Sequence, residues 1–185
     1  MADSGLKILI TGLPGSGKTT LVESLVQELR GKTVMAGFFT REIREPGQRL
    51  GFELITIDGN RAVLSHVQLK TPFRVGKYGV DLATFEHLLD NIPFAHPATE
   101  LVILDEIGKM ECLSEKFRKL VTELMDSQVN LLATIAYYGT PFIENLKSRP
   151  GVELISISAE NRDRLKNELA ARLQKRESLR TKSGK

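Results

Sequence analysis

A chain of 185 residues with 41% apolar and 26% charged residues has the size and composition of one globular domain. A single cysteine, Cys112, excludes an internal disulfide and a cysteine-based zinc site, and no apolar run reaches the ~20 residues that cross a bilayer. The net charge of +3 does not indicate a nucleic-acid partner, because the excess of Lys and Arg lies at the C-terminus. We expect a cytoplasmic protein without a membrane or nucleic-acid partner, with one domain over residues 1–174 and a basic, disordered tail over 175–185.

The first predicted elements are an apolar strand over residues 6–11 and a helix over 19–30, joined by a glycine-rich loop. The loop matches the P-loop pattern G-x-x-x-x-G-K-[ST] at every position. In this pattern the loop amides surround a phosphate chain, Lys18 reaches the β- and γ-phosphates, and the Thr19 hydroxyl is a Mg²⁺ ligand. The candidate nucleotide-binding residues are Gly12, Leu13, Pro14, Gly15, Ser16, Gly17, Lys18, Thr19 and Thr20.

The next stretch predicts a buried strand over residues 34–40 and then an inserted antiparallel hairpin over about 41–66. Alternating polarity and two turn signals, at Pro46-Gly47 and Asp58-Gly59, indicate this hairpin. Arg41 and Arg49 lie in it, and either could contact phosphate or form a structural ion pair.

Arg74 precedes a glycine-containing loop and a helix that Asp81 is expected to cap. A guanidinium suits the charge that spreads over phosphoryl oxygens in the transition state, so Arg74 is a candidate catalytic residue. An ion pair that fixes the loop is the alternative reading of the same residue.

Residues 101–104 form an apolar run that ends in two adjacent acids, Asp105 and Glu106. A run apolar at every position is typical of a central parallel strand buried on both faces. Asp105 is the expected second Mg²⁺ ligand beside Thr19. Glu106 is the candidate catalytic carboxylate that polarises the attacking water; the alternative is that Glu106 is a solvated loop residue.

The remaining pattern predicts a helix from Ser114, strands over 131–135 and 152–157, and a last helix with Leu165, Leu169 and Leu173 on one face. Alternating strands and helices give a doubly wound α/β fold of the P-loop NTPase type, with a mostly parallel sheet and an inserted antiparallel hairpin. Thr134 is either a γ-phosphate sensor or a buried core residue. Asn161 and Arg162 either contact the base or belong to an exposed first helical turn that Ser158 caps.

Several segments together resemble one family, the small nucleoside-triphosphatases first described from thermophiles, which also have a human member. The most discriminating is Asp105-Glu106-Ile107-Gly108-Lys109-Met110-Glu111. Further similar segments are residues 37–42, 49–52, 74–82 and 160–162, so that the resemblance spans about residues 7–174. The family usually has Pro where this chain has Leu13, a position that does not ligate phosphate.

The resemblance implies slow, Mg²⁺-dependent hydrolysis of the γ-phosphate of several nucleoside triphosphates, so we expect ATP, GTP, CTP and UTP as partners. Two alternatives stay open: a kinase for nucleotides or small metabolites, and a nucleotide-dependent switch that binds a partner. No arginine-rich lid segment and no Asn-Lys-x-Asp guanine reader occurs in the sequence, which favours the hydrolase. The sequence does not indicate an oligomeric state.

Overall fold

The computed structural model describes residues 5–183, with side chains up to residue 174. Within that range, one nine-stranded sheet carries helices on both faces. The strands are β1 (Lys7–Thr11), β2 (Met35–Glu45), β3 (Gln48–Thr56), β4 (Arg61–His66), β5 (Arg74–Val75), β6 (Tyr78–Val80), β7 (Leu101–Ile107), β8 (Asn130–Ile135) and β9 (Val152–Ser156). The helices are α1 (Lys18–Leu29), α2 (Leu82–Asp90), α3 (Glu115–Asp126), α4 (Pro141–Lys147) and α5 (Arg162–Ser183), with a short 3-10 helix over Glu111–Leu113.

Five neighbouring strands form the parallel half of the sheet, in the order β2-β7-β8-β1-β9. Their carboxyl ends meet at one edge, where ligands bind in open α/β sheets. The loop after β1 and the acids at the end of β7 therefore share this edge, with β8 between them. The predicted α/β fold is confirmed, although the sheet is mixed, with four parallel and four antiparallel strand pairings, rather than mostly parallel.

The other half of the sheet is antiparallel and larger than the expected hairpin. β2 was expected to end at residue 40 but continues to Glu45, and its second half pairs with β3. β4 follows β3, and the short pair β6 and β5 completes the order β2-β3-β4-β6-β5. The insertion thus begins inside β2 and reaches Val80, because Ser65 and His66 of β4 pair with β6.

The core consists of two apolar clusters, one on each face of the sheet. Alternation along β1 shows the division: Ile8 and Ile10 lie with α1 and α5, whereas Leu9 lies with α2, α3 and α4. Each fully buried side chain of this size contributes about 1.5–3 kcal/mol. The sheet edge that carries the P-loop is therefore fixed from both sides.

The helix caps account for where several helices begin. Asp81 accepts a hydrogen bond from the Thr84 amide and Ser114 accepts one from the Phe117 amide, each at 3.0 Å, as predicted. Helix α4 was not predicted; its signal was Thr140 followed by Pro141, a cap and a first-turn proline. No helix in residues 5–183 is long and apolar enough to cross a membrane.

Helix α5 buries Leu165, Leu169 and Leu173, as the spacing predicted. Its backbone is described as far as Ser183 and its side chains as far as Gln174. The expected disordered tail over 175–185 stays a prediction, since those side chains and residues 184 and 185 lie outside the described residues.

Candidate functional site: a phosphate loop facing two acids

The loop between β1 and α1 has the backbone that a phosphate cradle needs. Gly15 and Gly17 have φ values of 79° and 92°, a left-handed conformation that side chains rarely adopt. A Cβ on Gly12 would lie 2.7 Å from Oγ of Ser16 and 2.9 Å from Ile157. All three glycines are therefore required by geometry, and the N-terminus of α1 follows directly.

Lys18 joins this loop to the acids of β7. Its Nζ donates to the carbonyl oxygen of Gly12 at 3.0 Å and lies 3.9 Å from Oε2 of Glu106. The Lys18 side chain is only 10% exposed, so its charge acts in a partly desolvated space. An anion bound in the loop would form an ion pair with the ammonium group of Lys18.

Asp105 is almost fully buried at the end of β7. Burial raises the pKa of its carboxyl to about 6, while the nearby hydroxyls of Thr134 and Thr19 act in the opposite direction. Thr134 donates to Oδ1, and Thr40 donates to the Asp105 carbonyl oxygen. Oδ2 of Asp105 is buried without a hydrogen-bond partner among the described residues, so one carboxylate oxygen is free for a ligand.

Thr134 lies on β8, which stands between the P-loop strand β1 and β7 in the sheet. It is fully buried, and its hydroxyl is engaged by Asp105. Thr134 therefore holds the carboxylate of Asp105, a residue 29 positions earlier in the sequence.

Glu106 follows Asp105 but faces a different environment. Its side chain is 34% exposed, and Oε2 is the atom that approaches Lys18. Burial raises the pKa of Glu106, and the charge of Lys18 opposes this rise. A partly exposed carboxylate beside the phosphate loop has the access to solvent that a base for water requires.

Glu111, on the 3-10 helix after β7, is a buried acid whose importance the sequence reasoning missed. It is 4% exposed, and burial raises its pKa to about 8, with a further rise from the charges of Glu106 and Asp105. The backbone of Gly108 and of Glu111 itself acts in the opposite direction and lowers this pKa. The one signal in the sequence was an acid closely following Asp105 and Glu106.

The two residues expected at the base differ in position. Arg162 lies against the P-loop, since a Cβ on Gly17 would be 3.0 Å from its Nη1. Asn161 uses both side-chain polar atoms locally: it accepts from the Ser158 amide and donates to the Ser156 carbonyl, each at 2.9 Å. The alternative in which Ser158 caps the helix is wrong, because α5 begins at Arg162, directly after Asn161.

Arg74 is not close to the phosphate loop in this structure. It lies exposed on β5, the edge strand, with β6, β4, β3 and β2 between β5 and β7. Its Nη2 donates to the Lys77 carbonyl at 2.8 Å and holds the turn before β6. A catalytic role for Arg74 stays a prediction and requires the insertion to move toward the P-loop.

The other two candidate arginines of the insertion, Arg41 and Arg49, form ion pairs. Arg41 pairs with Glu23 of α1 at 2.7 Å, and Arg49 pairs with Glu42 at 2.6 Å. The first pair connects the extended part of β2 to the helix that follows the P-loop. Exposed Thr20 lies on the same side, in a cleft of about 470 Å³ between α1 and the insertion.

The site combines a glycine-rich loop and its lysine at the start of α1 with a buried Asp and an adjacent Glu on β7, two strands away from β1 in the sheet. This combination defines a P-loop NTPase. Comparisons with known proteins agree: the family model described as NTPase matches residues 7–170. The chain belongs to this family of nucleoside-triphosphatases.

Its relatives include bacterial and human proteins. It is 45% identical over 165 residues to the nucleoside-triphosphatase THEP1 of Thermotoga petrophila, covering 89% of this chain and 90% of that one. It is 36% identical to the human cancer-related nucleoside-triphosphatase, covering 85% and 91%. The crystal structure of THEP1 from Aquifex aeolicus matches with a TM-score of 0.81 and 38% identity, covering 91% and 99%.

Proposed function

We propose that this protein hydrolyses nucleoside 5′-triphosphates to the diphosphate and phosphate, with Mg²⁺ and with water as the acceptor. The observation that carries the proposal is the position of Glu106: a partly exposed carboxylate, 3.9 Å from the P-loop lysine and adjacent to the buried Asp105. The names of the relatives, which are nucleoside-triphosphatases, support the same reaction.

The reaction assigns one task to each group. The loop amides and Lys18 bind the β- and γ-phosphates, and Lys18 exchanges its contact with the Gly12 carbonyl for phosphate oxygens. Glu106 accepts a proton from water as the water oxygen bonds to the γ-phosphorus. The bond from that phosphorus to the bridging oxygen breaks, and the diphosphate leaves with the negative charge.

The residues of the site fit Mg²⁺. A hard cation takes oxygen ligands, and the unpartnered Oδ2 of Asp105 and the Thr19 hydroxyl are such oxygens. Bound there, the cation neutralises charge on the β- and γ-phosphates. Thr134 and Thr40 fix the Asp105 carboxylate and backbone in place for this task.

We propose broad base specificity. Of the two candidate base contacts, Asn161 has both polar groups engaged within its own loop, and Arg162 lies against the P-loop rather than in a base pocket. Strong discrimination needs buried polar groups that pair with one base alone. ATP, GTP, CTP and UTP are therefore the proposed substrates; a cytoplasmic location stays a prediction.

The test is release of inorganic phosphate from each of the four triphosphates, with and without Mg²⁺, and with and without a panel of nucleoside monophosphates and small hydroxyl metabolites. The proposal expects Mg²⁺-dependent release that does not need an acceptor. Product appearing only as a phosphorylated acceptor would establish a kinase instead. Tight nucleotide binding without turnover would establish a switch.

A further inference from the structure

Glu111 is a buried acid that the proposed reaction does not use. It lies within the segment that connects β7 to α3, and this segment is held by backbone hydrogen bonds. Cys112 donates to the Gly108 carbonyl at 3.0 Å, and the Ala136 amide donates to the Ile107 carbonyl at 3.2 Å. The carboxyl of Glu111 is therefore carried on a fixed backbone.

Gly108 shows how closely this carboxyl approaches Glu106. A Cβ on Gly108 would lie 2.7 Å from Oε2 of Glu111 and 3.0 Å from Oε1 of Glu106. Gly108 does not have the positive φ that would by itself require glycine. Glycine is needed here because two carboxyl groups occupy the space where a side chain would begin.

We propose that Glu111 is a positioning residue for Glu106. Its buried carboxyl, carried on the fixed backbone of this segment, fills the space on the interior side of Glu106. Glu106 then cannot turn away from the P-loop, and its Oε2 stays on the side of Lys18. The inference rests on the proposed role of Glu106 as the group that polarises water.

The protonation of Glu111 is consistent with this task. With a pKa of about 8 it carries a proton at pH 7, so it fills the space without adding a second negative charge beside Glu106. A neutral group of the same shape should therefore serve nearly as well, and a smaller group should not.

Three variants test the proposal through phosphate release, with kcat and KM measured separately. Glu111→Ala should lower kcat about tenfold or more, since small misplacements of catalytic groups are costly, while KM stays within about twofold. Glu111→Gln, with the same shape, should retain kcat within about threefold. Cys112→Ala is the matched control, because it truncates a buried side chain on the same 3-10 helix and leaves the Glu111 carboxyl in place.

Gly108→Ala keeps the test decisive even if Glu111→Ala does not fold. The added Cβ displaces one or both carboxyl groups and should lower kcat with KM preserved. Removing the Glu111 side chain as well frees that space, so the double variant should lose less than the product of the two single losses.

Glu106→Gln is measured in parallel to separate the two proposals. Wild-type hydrolysis by Glu106→Gln would overturn the assigned role of Glu106 and the inference with it. If Glu106→Gln is inactive while Glu111→Ala and Gly108→Ala keep wild-type kcat, only the positioning role is overturned. Equal losses in Glu111→Gln and Glu111→Ala, or the same loss in Cys112→Ala, would also overturn it.

Discussion

The Nζ atom of Lys18 lies 3.9 Å from Oε2 of Glu106, which joins the P-loop to the acid at the end of β7. The same Nζ donates to the Gly12 carbonyl at 3.0 Å. The two groups with opposite charges that the proposed hydrolysis needs are thus brought together before any phosphate enters. Sheet order produces this arrangement, since β1 and β7 end at the same edge with only β8 between them.

Lys18→Ala should remove most triphosphate affinity and activity. No other cation is assured at the β- and γ-oxygens by the P-loop pattern. Nucleotide binding by calorimetry and phosphate release measure the two effects. Lys116→Ala, which breaks an ion pair between the start of α3 and Asp90 at the end of α2, is the control. Unchanged phosphate release in Lys18→Ala would contradict the P-loop assignment.

Thr134→Val should weaken the response to Mg²⁺. The variant keeps the shape but removes the hydrogen bond that favours the charged form of Asp105, so the pKa of that carboxyl rises further. We expect a higher Mg²⁺ concentration for half-maximal activity and a loss of about 1–3 kcal/mol in stability. Thr122→Val on α3 is the control, since its hydroxyl bonds only a helix carbonyl. An unchanged Mg²⁺ titration would show that Thr134 has no part in holding Asp105.

Glu111→Gln should be more stable than the wild type by a margin that grows with pH. The pKa of Glu111 is about 8 in the folded protein, against 4.5 for an unperturbed glutamate. As pH rises between these values, the unfolded chain loses this proton while the folded chain keeps it, so wild-type stability declines. Thermal unfolding at a series of pH values measures the gap, with exposed Glu115→Gln as the control. A constant gap from pH 4.5 to pH 8 would contradict the raised pKa.

Selectivity among bases should be weak. We expect kcat/KM for ATP, GTP, CTP and UTP to lie within about tenfold, a spread of ~1.4 kcal/mol. Steady-state assays with each triphosphate measure this. A preference of about a thousandfold for one base would reveal a base pocket that neither Asn161 nor Arg162 accounts for.

The phosphate-binding half of the site could be predicted from sequence because it is one contiguous motif. The glycines, Lys18 and the start of α1 follow from local backbone requirements that eight residues specify together. Asp105 and Glu106 could also be predicted from the sequence, because an apolar strand buried on both faces ends at the ligand-binding edge.

The contacts between distant segments could not be predicted in the same way. Thr134 was expected on the strand over residues 131–135, but its hydrogen bond to Asp105 depends on exact strand register. The burial of Glu111 depends on a 3-10 helix too short to show periodicity. Arg74 was judged by its place along the chain, whereas its distance from the P-loop depends on sheet order, which puts β5 at the far edge.

The most direct test of the account is single-turnover hydrolysis by Glu106→Gln with Mg²⁺ and bound nucleotide. The account predicts that binding is retained and that the rate falls on the order of 10²-fold or more, the scale for loss of a positioned base. Glu53→Gln on β3 is the matched control, because Glu53 is similarly exposed and also paired with a cation, Arg61, at 3.1 Å. Wild-type single-turnover hydrolysis by Glu106→Gln would contradict the account.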